Sequence, residues 1–320
     1  MRYFFPFLFF LLSQSFLWAQ MDNIPRDTSY TIWSTYLKNK KRYPDVRPVW
    51  PDLPKGVKAK NDLVYARLDS GRELHLNVYY PKGKKKQLLS GILMIHGGGW
   101  DSGLKDNLVP MAQQLAKAGY VTVAVEYRLS PEAPYPAGVC DLKAAVRWMR
   151  ANATRFRIDT SRIACFGGSA GAHLASLLGA TNGLSLYDGC NTSNSGHSSD
   201  VQAVLNIDGI LSFIHPDAEP EKGGPSSTKW LGSIEENYER WKEASPMEYA
   251  GKNTPPFLFV NSSQPRFHAG RDDFIKILDQ YGTYSEVHTL EGSPHAFWLL
   301  DPWFEPTLQI SEAFLKKIFN

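Results

Sequence analysis

The chain has 320 residues, of which 43% are hydrophobic and 21% charged, and its formal net charge at pH 7 is +3. A chain of this length and composition can bury one sizeable hydrophobic core. The densest basic run is the three lysines at 84–86, which have neither aromatic residues nor further basic groups among them. We interpret this run as a solvated turn and expect no nucleic-acid partner.

Residues 1–19 have the pattern of a secretory signal peptide. Arg2 precedes an apolar run at 3–12, and the small residue Ala19 offers a cleavage site. The apolar run is too short to span a membrane. We therefore expect cleavage after Ala19 and a secreted, periplasmic or extracellular protein with no membrane span and no lipid anchor.

The rest of the chain predicts an N-terminal extension followed by one α/β domain. Residues 20–60 are rich in proline, lysine and aromatic residues without periodicity, and they are interpreted as an extension of the domain at 61–320. An alternating strand containing Leu74, Leu76 and Val78 follows. Continuous apolar runs then predict strands buried on both faces, at 91–95, 121–125, 163–166, 201–207 and 257–260, with a last strand-like run at 286–290.

Helical patterns alternate with these runs. They fall at 108–118, 139–149, 170–179 and 272–281. Alternation of strand and helix predicts a mostly parallel sheet covered by helices on both faces. Residues 216–251, rich in proline, glycine and charge, break the pattern and predict a cap-like insertion over the edge of the sheet where such folds bind ligands.

Three cysteines are a small and odd number, which does not indicate a framework of several disulfides. Cys165 lies in an apolar run and is predicted to be a buried hydrophobic residue. Cys190 lies in a loop rich in serine, asparagine and glycine, and it is expected to be the more exposed thiol.

The sequence Gly-Gly-Ser-Ala-Gly at 167–171 marks a candidate nucleophile, Ser169. It follows a predicted strand and opens a predicted helix. Glycines on both sides permit the sharp turn that lifts a serine clear of the sheet. Ser169 is therefore predicted to attack a carbonyl carbon.

The sequence His-Gly-Gly-Gly-Trp at 96–100 marks a candidate oxyanion hole. Consecutive glycines leave backbone N–H groups free to approach a substrate. We expect the N–H groups of Gly98, Gly99 and Ala170 to stabilise the developing negative charge. His96 is interpreted as holding this loop in shape.

His295 is the candidate general base, because it lies in a turn after the last predicted strand and before the final predicted helix. A serine hydroxyl needs a neighbouring base, and histidine has a suitable pKa at neutral pH. The order serine, acid, histidine along the chain is that of the α/β-hydrolase arrangement.

The motifs at 96–100, 126–132 and 167–171 resemble the hormone-sensitive-lipase-like and bacterial carbohydrate-esterase branches of the α/β-hydrolase superfamily. The resemblance covers residues 60–320 and is most specific between 90 and 180. It implies hydrolysis of carboxylic esters through an acyl-serine intermediate, with no cofactor and no metal.

The sequence departs from that family pattern at the acid. The loop at 261–268, where an aspartate is usual, contains no carboxylate. Asp208 directly follows a predicted buried strand, and Asp272 lies later in the usual loop with Asp273 beside it. The sequence favours Asp208, leaves Asp272 or Asp273 as the alternative, and also allows that no acid is present.

Three residues are candidates for substrate binding. Trp100 and Trp298 flank the catalytic motifs, and aromatic faces can bind sugar rings. Arg266 could pair with a substrate carboxylate or with Asp272 or Asp273. The loop at 261–273 and the segments around Trp298 also resemble secreted esterases that act on pectin.

The resulting prediction is a secreted serine esterase that removes acetyl or methyl esters from plant-type polysaccharide. A general short-chain acyl esterase or lipase, acting on small esters, is the nearer alternative. A non-catalytic binding module on the same fold is the alternative from another class.

Overall fold

A computed structural model of the chain describes residues 25–83, 87–219 and 224–319. The predicted signal peptide and the lysines at 84–86 lie outside these residues. Within them, no helix is both long enough and apolar enough to cross a membrane.

The central sheet has eight strands. They are β2 (Val57–Arg67), β3 (Glu73–Pro81), β4 (Leu89–Ile95), β5 (Val121–Val125), β6 (Ile158–Gly168), β7 (Ala203–Ile207), β8 (Phe257–Ser262) and β9 (Ser285–Leu290). Their spatial order is β2-β3-β5-β4-β6-β7-β8-β9. The pairs β2–β3 and β3–β5 are antiparallel, and all later pairs are parallel. The predicted α/β fold with a mostly parallel sheet is confirmed.

Helices cover both faces of this sheet. The described helices are α1 (Ile32–Asn39), α2 (Val109–Lys117), α3 (Ala137–Ala151), α4 (Ala153–Phe156), α5 (Ala170–Ala180), α6 (Pro225–Leu231), α7 (Ile234–Glu243), α8 (Arg271–Gln280) and α9 (Phe304–Phe319). Side chains of α3, α5 and α8 share one apolar core with Leu93 and Ile95 of β4. Those of α2 and α9 share the other core with Ile92 and Met94. Alternate β4 residues thus enter opposite cores, as in a strand buried on both faces.

The predicted N-terminal extension contains ordered structure that the sequence pattern did not indicate. Helix α1 begins after Thr31, whose hydroxyl accepts from the backbone N–H of Ser34, and Ile32 enters the α2–α9 core. The strand β1 (Arg47–Pro48) pairs with β10 (Leu300–Asp301). The boundary expected at residue 60 falls inside β2, so part of the extension belongs to the central sheet.

The described part of the predicted insertion at 216–251 is helical. It contains α6 and α7, with short 3₁₀ turns at Pro216–Ala218 and Pro246–Tyr249. Trp230 and Trp241 of these helices are buried. The Trp230 ring lies parallel to Trp100, with ring centroids 5.2 Å apart. The insertion is therefore anchored by aromatic packing next to the motif at 96–100.

The cysteines differ from the expectation. Cys190 is not a thiol, because it forms a disulfide with Cys140 of α3 across 50 residues of sequence. The loop carrying Cys190 folds back onto α3, where the Asn191 amide also donates to Asp141 at 3.0 Å. Cysteine number and loop composition could not reveal this proximity. Cys165 is buried, as its apolar run indicated, and burial raises the pKa of its thiol.

Candidate active site

Ser169 lies in the turn between β6 and α5. Its backbone has φ 55° and ψ −123°, a conformation that L-residues rarely adopt. The turn closes so tightly that a Cβ on Gly167 would overlap the carbonyl of Gly171. The Ser169 N–H donates to the Ile207 carbonyl at 2.9 Å. Neighbouring glycines thus allow a turn that holds the serine at the end of the strand.

A continuous chain of hydrogen bonds joins Ser169, His295 and Asp208. The Ser169 Oγ lies 2.8 Å from His295 Nε2, and His295 Nδ1 lies 2.7 Å from Asp208 Oδ2. With Nδ1 protonated and donating to the carboxylate, Nε2 is free to accept the serine proton. The arrangement can therefore activate Ser169 as a nucleophile.

Asp208 is held as a carboxylate. Burial raises the pKa of this carboxyl, but the nearby His268 ring, whose Nδ1 lies 3.7 Å from Asp208 Oδ1, and hydrogen bonds from His295 and Ser262 outweigh burial and hold the pKa well below its usual range. The Ser262 N–H and hydroxyl donate to the two carboxylate oxygens at 3.0 and 2.7 Å. Asp208 follows β7 directly with φ 56°, and this backbone turn brings its side chain to His295.

The alternative acids lie elsewhere. Asp272 pairs with Arg271 at 2.7 Å, and 72% of its side chain is exposed. Asp273 pairs with Lys276 at 2.7 Å. Both are in the first turn of α8, where carboxylates favour the helix N-terminus. Of the aspartates considered from sequence, only Asp208 is hydrogen-bonded to His295 among the described contacts.

The glycine loop lies beside Ser169. Gly99 and Ala170 line the same cavity as Ser169. Gly98 lies in the supporting turn, with φ 120°, and its carbonyl accepts from the N–H of Ser102 at 2.9 Å. Backbone N–H groups can therefore face a bound carbonyl without an intervening side chain.

His96 contacts the backbone of this glycine loop from the protein interior. Its ring is fully buried, its Nδ1 lies 2.8 Å from the Gly97 carbonyl, and its own carbonyl accepts from the Tyr127 hydroxyl at 2.9 Å. Burial lowers the pKa of His96 to about 4, so the ring is neutral at pH 7. These contacts agree with a role in holding the loop.

A first cavity of about 250 Å³ opens in front of Ser169. We call it the serine cavity. Its apolar wall consists of Trp100, Ile210, Phe213, Pro225 and Trp241. Trp100 is held in place by His173, whose Nδ1 accepts from the indole N–H at 3.1 Å. Since burial lowers the pKa of His173 to about 4, that nitrogen is free to accept.

The predicted substrate residues separate into two groups. Trp100 and the exposed Arg266 line the serine cavity. Arg266 forms no ion pair with any described carboxylate; its guanidinium lies 4.8 Å from the centre of the Phe267 ring. Trp298 differs from the prediction, because it is 1% exposed and packs over Gly168 in the α2–α9 core. Trp298 is part of the packed interior near His295. Its buried ring therefore has no open face on which a sugar ring could stack.

A second cavity of about 470 Å³ lies on the His295 side and is lined partly by α1. We call it the histidine groove. Phe267 belongs to both cavities and stacks on the His295 ring, with centroids 3.5 Å apart. Sequence analysis missed Phe267 and the α1 residues. Phe267 has no motif around it, and α1 carries no catalytic signature, so no sequence signal could have identified them.

No cluster of three or more histidine, cysteine or acidic side chains suited to a metal ion is found within residues 25–83, 87–219 and 224–319.

The fold and this site define an α/β-hydrolase. The chain belongs to the BD-FAE family, whose model matches residues 76–267.

Curated relatives of the chain are named as esterases. Esterase LipC of Mycobacterium tuberculosis is 28% identical over 71% of this chain and 57% of its own length. The probable carboxylic ester hydrolase LipM of the same organism is 27% identical over 72% and 54%, respectively. The chain spans about half the length of the curated relatives it matches.

Solved structures share the fold. A truncated carbohydrate esterase from gut microbiota has a TM-score of 0.69 at 22% identity, covering 84% of this chain and 98% of that one. Esterase 2 of the planctomycete Thermogutta terrifontis, with butyrate bound, has a TM-score of 0.67 at 25% identity, covering 84% and 96%. A bifunctional GH43-CE protein from Bacteroides eggerthii has a TM-score of 0.67 at 25% identity, covering 82% and 38%.

Proposed function

We propose that this protein hydrolyses carboxylic esters through an acyl-serine intermediate. The observation that carries the proposal is the hydrogen-bonded chain from Ser169 through His295 to Asp208, in which Ser169 shares its cavity with Gly99 and Ala170. A non-catalytic binding module would have no need for a strained serine bonded to a histidine.

The reaction has two halves. His295 Nε2 takes the hydroxyl proton as the Ser169 Oγ attacks the ester carbonyl, and it then gives that proton to the leaving alcohol. Asp208 stabilises the positive imidazolium through Nδ1. In the second half, His295 takes a proton from a water molecule as the water oxygen attacks the acyl-serine carbonyl. His295 then returns this proton to the Ser169 Oγ, and the acid is released.

The two cavities support an ester with a small acyl group and a large alcohol. The serine cavity has an apolar wall and lies next to the groups that would bind the carbonyl oxygen. The histidine groove is larger and is lined by His295, the residue that gives the leaving alcohol its proton. An acetyl ester of a saccharide fits this division, whereas a methyl ester would reverse it. We propose deacetylation of a pectin-like polysaccharide, which is supported by the resemblance of the loop at 261–273 to esterases that act on pectin and by the structural relative named as a carbohydrate esterase.

A comparison of ester substrates tests this function. We expect measurable hydrolysis of p-nitrophenyl acetate, with kcat/KM falling by about tenfold or more toward octanoate, because a long apolar chain would lie against Arg266 and Ser226, which also line the serine cavity. Acetate release from acetylated pectin is expected to exceed methanol release from methylated pectin. Preference for the long acyl chain would favour a lipase instead, and dominant methanol release would contradict the assignment of the two cavities.

A labelling experiment addresses the non-catalytic alternative. A fluorophosphonate probe is expected to modify Ser169, because an activated serine attacks the phosphorus centre. Peptide mass spectrometry locates the label. A chain that hydrolyses no ester and takes no label would be the binding module.

We also propose that the protein is exported. The pattern at residues 1–19 supports this, as does the Cys140–Cys190 disulfide, since disulfides persist in oxidising compartments. N-terminal sequencing of protein recovered from outside the cytoplasm is expected to begin at Gln20 or within a few residues of it. An intact Met1 in that fraction would contradict the proposal.

A further inference from the structure

The histidine groove is built by two distant parts of the chain. One wall comes from α1 and the turn after it, including Lys38, Asn39 and Arg42, and the other from Phe267 and His295. The two walls lie more than 200 residues apart in sequence. The N-terminal segment therefore contributes a surface directly beside the proposed catalytic histidine.

The charge of this groove is positive. Lys38 and Arg42 line it, and no aspartate or glutamate is among its described lining residues. Both cations are exposed, and neither forms an ion pair with a carboxylate of the described chain. The Arg42 guanidinium rests over the Tyr43 ring, 5.5 Å from its centre, which limits its freedom. Two cations that line one groove and have no ion-pair partner among the described residues can bind an anionic group.

The proton transfer from His295 to the leaving alcohol relates the histidine groove to the alcohol part of the substrate. The leaving alcohol must receive its proton from His295 Nε2, so its oxygen has to lie within hydrogen-bond distance of that atom. His295 lines the histidine groove, while Gly99 and Ala170 line the serine cavity. An alcohol large enough to reach past His295 would enter this groove and approach α1.

We propose that Lys38 and Arg42 form a binding site for a carboxylate on the alcohol part of the substrate, so that the protein prefers esters of acidic saccharides to esters of neutral ones. This inference rests on the proposed ester hydrolysis and adds the residues that recognise charge. Carboxylate binding at exposed cations depends on ionic strength, so the preference weakens as salt is added.

Kinetics of a matched substrate pair test the proposal. The pair is acetylated oligogalacturonate and acetylated galacto-oligosaccharide of equal length, and the readout is the ratio of their kcat/KM values. In the Lys38→Ala/Arg42→Ala double variant this ratio is expected to fall by about tenfold or more, mainly through KM for the acidic substrate. About 0.5 M NaCl is expected to reduce the ratio of the unmodified protein in the same direction.

Lys41→Ala is the control, because Lys41 is an exposed cation in the same segment that does not line the groove. It is expected to leave the ratio unchanged. The proposal is overturned if the ratio of the unmodified protein is near one, if the double variant retains the full ratio, or if Lys41→Ala lowers it equally. Melting curves confirm that each variant is folded.

A binding measurement separates this inference from the proposed activity. Titration calorimetry with unesterified oligogalacturonate and the Ser169→Ala protein requires no turnover. We expect binding that the double variant weakens by about tenfold, and weaker binding of the neutral oligosaccharide. If no ester is hydrolysed but this pattern appears, the proposed function fails and the groove assignment stands. Equal binding of both oligosaccharides overturns the groove assignment alone.

Discussion

Ser169→Ala is expected to lower kcat for p-nitrophenyl acetate by about 10³-fold or more. The substitution removes the oxygen that lies 2.8 Å from His295 Nε2, and no other hydroxyl is hydrogen-bonded to that nitrogen among the described contacts. Backbone donors and the binding cavities would remain, so a small residual rate over the uncatalysed reaction is expected. Initial rates and fluorophosphonate labelling measure the loss.

Ser185→Ala is a matched control, because Ser185 is an exposed serine outside both cavities. It is expected to hydrolyse p-nitrophenyl acetate at the rate of the unmodified protein. Both variants are expected to have the melting temperature of the unmodified protein. A Ser169→Ala protein with a normal melting curve and activity within about tenfold of the original would exclude Ser169 as the nucleophile.

Asp208→Asn is expected to lower kcat by about 10² to 10⁴-fold with little change in KM. An amide keeps the shape of the side chain but loses the negative charge that stabilises the His295 imidazolium. Its NH₂ group also favours the wrong histidine tautomer, because the 2.7 Å contact then needs Nδ1 as an acceptor. The loss falls on the transition state, where the imidazolium forms, and so appears in kcat.

Asp272→Asn is the matched control for this substitution. The Asp272 carboxylate is mostly exposed and bonded to Arg271, so we expect near-normal kcat and a change in stability within about 0.5 kcal/mol. Steady-state kinetics at several pH values and thermal melting check both variants. A collapse of kcat in Asp272→Asn, with Asp208→Asn near normal, would transfer the acid role to α8.

Much of the fold was predictable because its signals are local. Apolar runs such as 121–125 and 257–260 can be satisfied only by burial on both sides, and these runs are strands β5 and β8 in the structure. The turn at Ser169 was predictable for the same reason, since its glycines are needed within a few residues of the serine. The N-terminal segment lacked such a pattern, so α1 was missed.

By itself, the sequence determined the α/β alternation, the strand-to-helix serine turn, the glycine loop and the position of His295 after the last central strand. Tertiary structure alone decided which aspartate contacts His295, that Cys140 meets Cys190, that Trp298 is buried, and that α1 lies beside the histidine groove. The physical reason is the separation along the chain between the residues that interact. Local patterns depend on neighbouring residues, whereas Asp208 and His295 meet across 87 residues because the packed sheet brings the ends of its strands together.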